Sequence, residues 1–127
     1  MNNGQNIQSG APWESIVGYS RAVRIGNIIE ISGTVAVDGI EIVGEGDAYQ
    51  QTKFIIEKIE NTLQQAGASL ENVIRTRIYV TDISQWEQIA KAHSLFFGSI
   101  KPATSMVQVS KLIDERLLVE IEATAIL

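Results

Sequence analysis

The order of segments in this 127-residue chain predicts an α+β domain, a mixed, mostly antiparallel sheet with two helices packed on one face. Three observations carry that expectation. Two amphipathic stretches of helical period begin at Asp47 and near Ser84; short β-leaning runs lie before, between and after them; and the pairs Gly26-Asn27 and Asp38-Gly39 sit where such runs turn back. With 45% hydrophobic and 20% charged residues, and two prolines against ten glycines, one globular domain fits the composition.

Residues 1–14 are rich in Asn, Gln and Gly without a period, and are expected to form a flexible arm before a single domain over residues 15–127. Ser15–Val17, Ala22–Ile25 and Ile28–Ser32 read as strands, the last two as a hairpin about Gly26-Asn27. Thr34–Val37 extends the β region, and Ile40–Val43 pairs back across Asp38-Gly39 before Gly44 and Gly46 break the pattern. From Asp47, residues Thr52, Ile55, Ile56, Ile59, Leu63 and Ala66 recur on one helical face, and Gly67 ends the helix. Asn72–Val80 is a strand in which Val73, Arg75, Arg77 and Tyr79 alternate with Ile74, Thr76, Ile78 and Val80. Ser84 and Glu87 have capping-box spacing, opening a second helix with Trp86, Ile89, Ala90, His93, Phe96 and Phe97 on one face and Gly98 at its end. Two last strands, Thr104–Val109 and Leu117–Ile126, flank a charged turn at Asp114–Arg116. The final strand is apolar enough to suggest that a homo-oligomer packs sheets together.

Composition also excludes function classes. Fifteen acidic against ten basic side chains give net charge −5, which opposes the phosphate attraction behind nucleic-acid affinity. No cysteine and a single histidine leave no zinc site and no thiolate nucleophile, and no G-x-S-x-G elbow marks a serine hydrolase. No apolar run reaches the roughly 18 residues of a membrane helix, and Met1–Gly10 lacks the layout of a signal peptide, so a soluble cytoplasmic protein is expected.

Seven segments in order carry a resemblance: Gly18-Tyr19-Ser20-Arg21-Ala22-Val23, Ile31-Ser32-Gly33, Gln65-Ala66-Gly67-Ala68-Ser69-Leu70, Tyr79-Val80-Thr81-Asp82, Phe96-Phe97-Gly98, Pro102-Ala103-Thr104-Ser105 and Leu118-Val119-Glu120-Ile121-Glu122-Ala123. Together they resemble the Rid (reactive intermediate deaminase, or YjgF) superfamily from about Val17 to Leu127. The resemblance implies a chorismate-mutase-like fold and a homotrimer with sheets facing inward and small-molecule sites in the clefts between subunits. It implies hydrolysis of reactive 2-imino and enamino acids to 2-oxo acids and ammonia, with no cofactor and no metal. By position, it assigns substrate binding to Tyr19, Ser32 and Gly33, and places the water-positioning glutamate at Glu120. The carboxylate-binding arginine of such proteins does not carry over, because Thr104 stands there and offers a hydroxyl. Ala90 and His93 stand where asparagine and tyrosine are usual.

Each candidate also has a plainer reading. Glu120 shares a polar strand face with Glu122 and Thr124, which is either a solvated face or a cleft wall where a carboxylate orients water. His93 is either a hydrogen-bonded core residue or an acid, base or ligand near the pocket. Tyr19 either lines the pocket or is a half-buried aromatic, and Ser32-Gly33 either meets ligand or marks a strand bend. Arg21, Arg75 and Arg77 are candidate replacement cations against the plainer reading of surface or interface pairs, with Arg77 kept as a site candidate beside Tyr79. Trp86, Phe96 and Phe97 are expected in the core.

Three functions follow. The first is a cofactor-free hydrolase or deaminase of a small imine, enamine or related metabolite, with His93 as a second catalytic candidate and a substrate that is neutral or differently charged from a simple imino acid. The second is a trimer that senses a small molecule without turnover. The third, a ribonuclease, is opposed by the acidic charge.

Overall fold

The structure is a computed structural model and describes residues 4–127. In chain order the elements are β1 (Gln5–Ile7), α1 (Pro12–Val17), β2 (Ala22–Ile25), β3 (Ile28–Val35), β4 (Val37–Asp38), β5 (Glu41–Ile42), α2 (Ala48–Gln65), β6 (Val73–Val80), α3 (Trp86–Phe97), β7 (Ala103–Gln108) and β8 (Val119–Ile126). Six strands form one sheet in the order β1-β2-β3-β8-β6-β7, and β4 and β5 make a separate small hairpin.

Local chemistry sets these elements. Gly26 has φ +60°, the conformation a two-residue turn between β2 and β3 requires, and Ile25 pairs with Ile28 across it. The Asp47 side chain accepts from the Gln50 N–H at 3.0 Å and caps α2. Gly67, φ +85°, lets the chain leave after Ala66. β7 runs parallel to β6 because α3 supplies the crossover between them, and every other pairing in the large sheet is antiparallel.

One face of the sheet is covered by α2 and α3. Ile55, Ile56, Ile59 and Leu63 of α2 join Ile29, Ile31, Ile78, Ile121 and Ala123 in a single buried core. Each of the isoleucine and leucine side chains contributes about 1.5–3 kcal/mol by leaving water. Gln51 is fully buried within this layer yet satisfied, donating to the Gly44 and Arg116 carbonyls and accepting from the Leu118 N–H. It ties α2 to the loop that leads into β8.

Several expectations change. Ser15–Val17 is helical rather than extended, because Pro12 presets the first turn of α1 and Gly18, φ +90°, closes it. The expected boundary at residue 15 therefore falls inside α1, and the segment before it includes β1, paired with β2. Of that expected arm, residues 1–3 lie outside the described residues. Ser84 is not a helix cap: Asp82 accepts from the Ser84 N–H and opens a short 3₁₀ turn that runs into α3. Trp86 is 53% exposed and lies outside the core, whereas Phe97 is buried and Phe96 packs at the core edge. In β6 a register shift between Val73 and Arg75 buries Val73 with Thr76, Ile78 and Val80 and turns Ile74 outward. The apolar side of β8 (Val119, Ile121, Ala123, Ala125) is consumed by the core under the helices, so its hydrophobicity alone does not call for a second sheet.

Candidate functional site

Between Ile31 and Thr34 the pairing of β3 with β8 slips, from Ile31↔Ala123 to Thr34↔Ile121, which puts one extra residue into β3 at Ser32-Gly33. A cleft of about 1120 Å³ opens at this bulge, bounded by the segment around α1, the β4–β5 hairpin, the Phe54–Asn61 stretch of α2 and the loop at residues 113–116. Tyr19, Arg21, Ser32, Gly33 and Glu120 all line it.

Glu120 alternates with core residues on β8 and points away from them, as its strand pattern predicts. Its carboxylate lies directly over Gly33: a Cβ built there would stand 2.1 Å from Oε2. A side chain at this position would push the carboxylate aside. Among the described residues no group donates a hydrogen bond to the Glu120 carboxylate, and burial, reinforced by the neighbouring Glu122, holds its pKa above the ordinary carboxylate value while Arg21 pulls it back.

Ser32 is committed to structure. Its hydroxyl donates to the Ser20 carbonyl at 2.7 Å and its N–H to the Arg21 carbonyl at 3.0 Å, which pins the bulge to the chain entering β2. Tyr19 is half-buried, with its N–H donating to the Glu14 carbonyl at 3.0 Å and the Arg21 guanidinium 5.7 Å from its ring centre. Lys58 reaches in from α2, donating to the Val37 carbonyl at 2.9 Å, and burial together with Arg21 lowers its pKa.

His93 and Thr104 stand elsewhere. Thr104 pairs with Thr76 across β7 and β6, and Thr76 is fully buried among the residues facing the helices, on the side of the sheet opposite Glu120. Thr76 Oγ1 lies 3.0 Å from His93 Nε2 and 2.8 Å from Thr104 Oγ1, and the Thr104 hydroxyl donates to the Pro102 carbonyl at 3.2 Å. The Thr76 hydroxyl, with one proton to give, bridges the two, and the His93 tautomer sets which way it points. Burial lowers the pKa of His93, and Phe97 stacks against the imidazole with ring centres 4.7 Å apart. This relay borders a shallow hollow of about 280 Å³ with Lys101 at its rim.

Arg77 lines neither hollow. It sits opposite Glu122 in the register of β6 and β8, beside Tyr79, whose hydroxyl donates to Glu122 at 3.0 Å. The cations that do line the cleft are Arg21, Lys58 and Arg116, the last paired with Asp114 at 2.8 Å. Alternation along a strand told which face Arg77 shares but not which hollow that face borders. For Arg21 the only sequence signal was its position two residues after Tyr19, and Lys58 carried none. Among the described residues no group of three or more His, Asp or Glu side chains is placed to hold a metal ion, and no helix is long and apolar enough to cross a membrane.

The fold and the cleft define an α+β domain whose site is built on a bulged central strand beneath a glutamate. A family model described as Endoribonuclease L-PSP matches residues 9–127, and the chain belongs to that family. The crystal structure of Rv2704 from Mycobacterium tuberculosis, a member of the YjgF/YER057c/UK114 family, superposes with a TM-score of 0.91 at 47% identity, covering 98% of this chain and 100% of that one. A RutC family protein of Pyrococcus abyssi is 39% identical over 109 residues, 84% of each chain. The 3-aminoacrylate deaminase RutC of Acinetobacter baylyi is 32% identical over 108 residues, 84% of this chain and 85% of that one. The Rid or YjgF resemblance seen in the sequence therefore holds across nearly the whole chain.

Proposed function

We propose that this chain is a cofactor-free hydrolase that removes nitrogen from a small imine or enamine, with Glu120 managing the water. The Glu120 carboxylate carries this reading: it is held in a cleft over Gly33, free of protein hydrogen bonds among the described residues, with a pKa raised toward the range where a general base is efficient. Kinship with a 3-aminoacrylate deaminase supports the same chemistry. Water bound to Glu120 attacks the imine carbon, forming a C–O bond as its proton passes to the carboxylate. That proton then goes to nitrogen to give a carbinolamine; the carboxylate next carries the carbinolamine's hydroxyl proton to nitrogen as the C=O bond forms and the C–N bond breaks, and ammonia leaves a carbonyl product. An enamine enters the same sequence after a proton moves from its nitrogen to its carbon.

The working unit in this reading is a cytoplasmic homotrimer with clefts between subunits. His93 and Thr104 lie across the sheet from Glu120, so one chain does not present all three to one small substrate, whereas the edge strand β7 of a second copy can bring its own pair to the cleft. The test is release of ammonia and 2-oxo acid from imines generated in situ by an amino-acid oxidase. Turnover by the unmodified protein that Glu120→Gln abolishes supports the proposal, and equal turnover by both sinks it.

A second reading, sensing without turnover, is favoured by Thr104: its hydroxyl is engaged by Thr76 and Pro102. A metabolite that raises the melting temperature without being consumed supports it.

A further inference from the structure

A guanidinium taken out of water normally comes with a carboxylate, because an uncompensated buried charge is costly. Arg21 is only 5% exposed, and no carboxylate oxygen among the described residues lies within ion-pair distance of it. Its Nη2 donates to the Gly33 carbonyl at 2.8 Å, its Nε is buried without a partner, and its Nη1 makes no protein hydrogen bond among the described residues. Glu14 and Glu120 both feel the charge of Arg21 without pairing with it, and the Glu14 carboxylate is taken up by the Ser9 N–H at 2.9 Å and by the Ser9 hydroxyl. Lys58, on the same cleft, uses one of its three donors on Val37 and feels the charge of Arg21. Of the three cations that line the cleft, Arg116 is paired with Asp114, whereas Arg21 and Lys58 keep donors to spare alongside Asp38, Glu57 and Glu60, and the Gly33 carbonyl bonded to Arg21 belongs to the residue that lies beneath the Glu120 carboxylate.

We infer that Arg21, assisted by Lys58, is the anion anchor of the cleft, and that the ligand is a small carboxylate whose electrophilic carbon is presented to Glu120. The sequence alone pointed the other way, toward a ligand that is neutral or differently charged from a simple imino acid, because position 104 holds threonine. The charge is supplied instead from the turn before β2. A guanidinium already fixed by the Gly33 carbonyl and stacked near Tyr19 loses little freedom on binding, so its remaining donors favour a planar carboxylate over a neutral amide of the same shape.

The inference rests on the reading of this cleft as the reaction site, and its test is separable from turnover. Backbone amide shifts of the full-length protein are followed while pyruvate, or its neutral counterpart pyruvamide, is added. The expected result is that pyruvate moves the signals of Tyr19, Arg21 and Gly33 and binds at least tenfold more tightly than pyruvamide. Arg21→Gln is expected to weaken pyruvate roughly ten- to hundredfold, the size of a lost charge-assisted hydrogen bond, and to leave pyruvamide unchanged. Lys58→Gln is expected to weaken pyruvate by less. Equal affinity for the two probes, no saturable shift up to tens of millimolar pyruvate, or full pyruvate affinity in folded Arg21→Gln overturns the inference. If Arg21→Gln does not fold, the ratio of the two probes on the unmodified protein and on Lys58→Gln decides. Selective pyruvate binding without imine turnover leaves the anchor standing and removes the hydrolase; turnover with probes bound equally does the reverse.

Discussion

The two hollows of this domain differ in how completely their polar groups are satisfied. In the cleft, Glu120 accepts nothing from the protein among the described residues and Arg21 keeps unused donors. In the His93–Thr76–Thr104 relay every hydroxyl has a partner and burial lowers the pKa of the imidazole. A structural network closes its hydrogen bonds internally; a binding site leaves charged groups open at a cost to the fold. The pH response carries the same contrast. Burial raises the pKa of Glu120 and lowers that of His93, so the first favours the folded state at low pH and the second at high pH.

The sharpest way to break the comparison is Glu120→Gln. Turnover should fall about 10²- to 10⁴-fold, the usual contribution of a positioned general base. The variant should also melt higher than the unmodified protein at pH 7. The folded-state pKa lies above the unfolded value of 4.5, so ionised Glu120 carries a penalty that disappears as pH falls through the folded pKa, and the two melting curves should converge below about pH 4.5. A variant less stable at pH 7 would mean that the carboxylate is a structural member of the cleft.

Gly33→Ala tests the same carboxylate without touching it. The new Cβ would displace Oε2 of Glu120, and a shift of that order costs about 10²-fold in turnover. Steady-state kinetics on a variant with an unchanged circular dichroism spectrum would check it.

On the relay side the expected loss is stability. Thr76→Val removes a fully buried hydroxyl and leaves the half-buried His93 Nε2 short of a partner, while the exposed Thr104 can turn to water, and should cost about 1–3 kcal/mol in urea unfolding. The smallest effect is expected from His93→Gln. In the unmodified protein the stability tied to neutral His93 is present above the unfolded pKa of 6.5 and is lost as pH falls toward the lowered folded value, and the variant should lack that dependence. If its stability–pH curve overlays that of the unmodified protein, His93 is solvated rather than buried in the relay.

Periodic features were legible in the sequence. The stripe Ile55, Ile56, Ile59, Leu63 on α2 and the alternation of Val119, Ile121 and Ala123 with Glu120 and Glu122 on β8 follow from helix and strand geometry and reappear in the core. Ser15–Val17 was misread because three residues show no period, and Pro12, which decides the matter, lies before them. Trp86 was misplaced because helical spacing identifies a face but not where the partner sheet ends. Tyr19, Ser32, Gly33 and Glu120 were found through segment resemblance, and all four line one cleft. Thr104 and His93 came from the same resemblance but lie across the sheet, because β7 and β8 present opposite faces at those positions.

The sequence by itself determined the α+β order of elements, the two helices and their buried stripes, and the strand on which Glu120 stands. These are consequences of local period, turn chemistry and capping, which act over a few residues. The tertiary structure alone decided that a glutamate 87 positions after Gly33 lies against it, where any Cβ would displace the carboxylate, and that Arg21 rather than Arg77 faces that glutamate's cleft. Charge and space at a site depend on neighbours far apart in the chain, and no period along one segment encodes them.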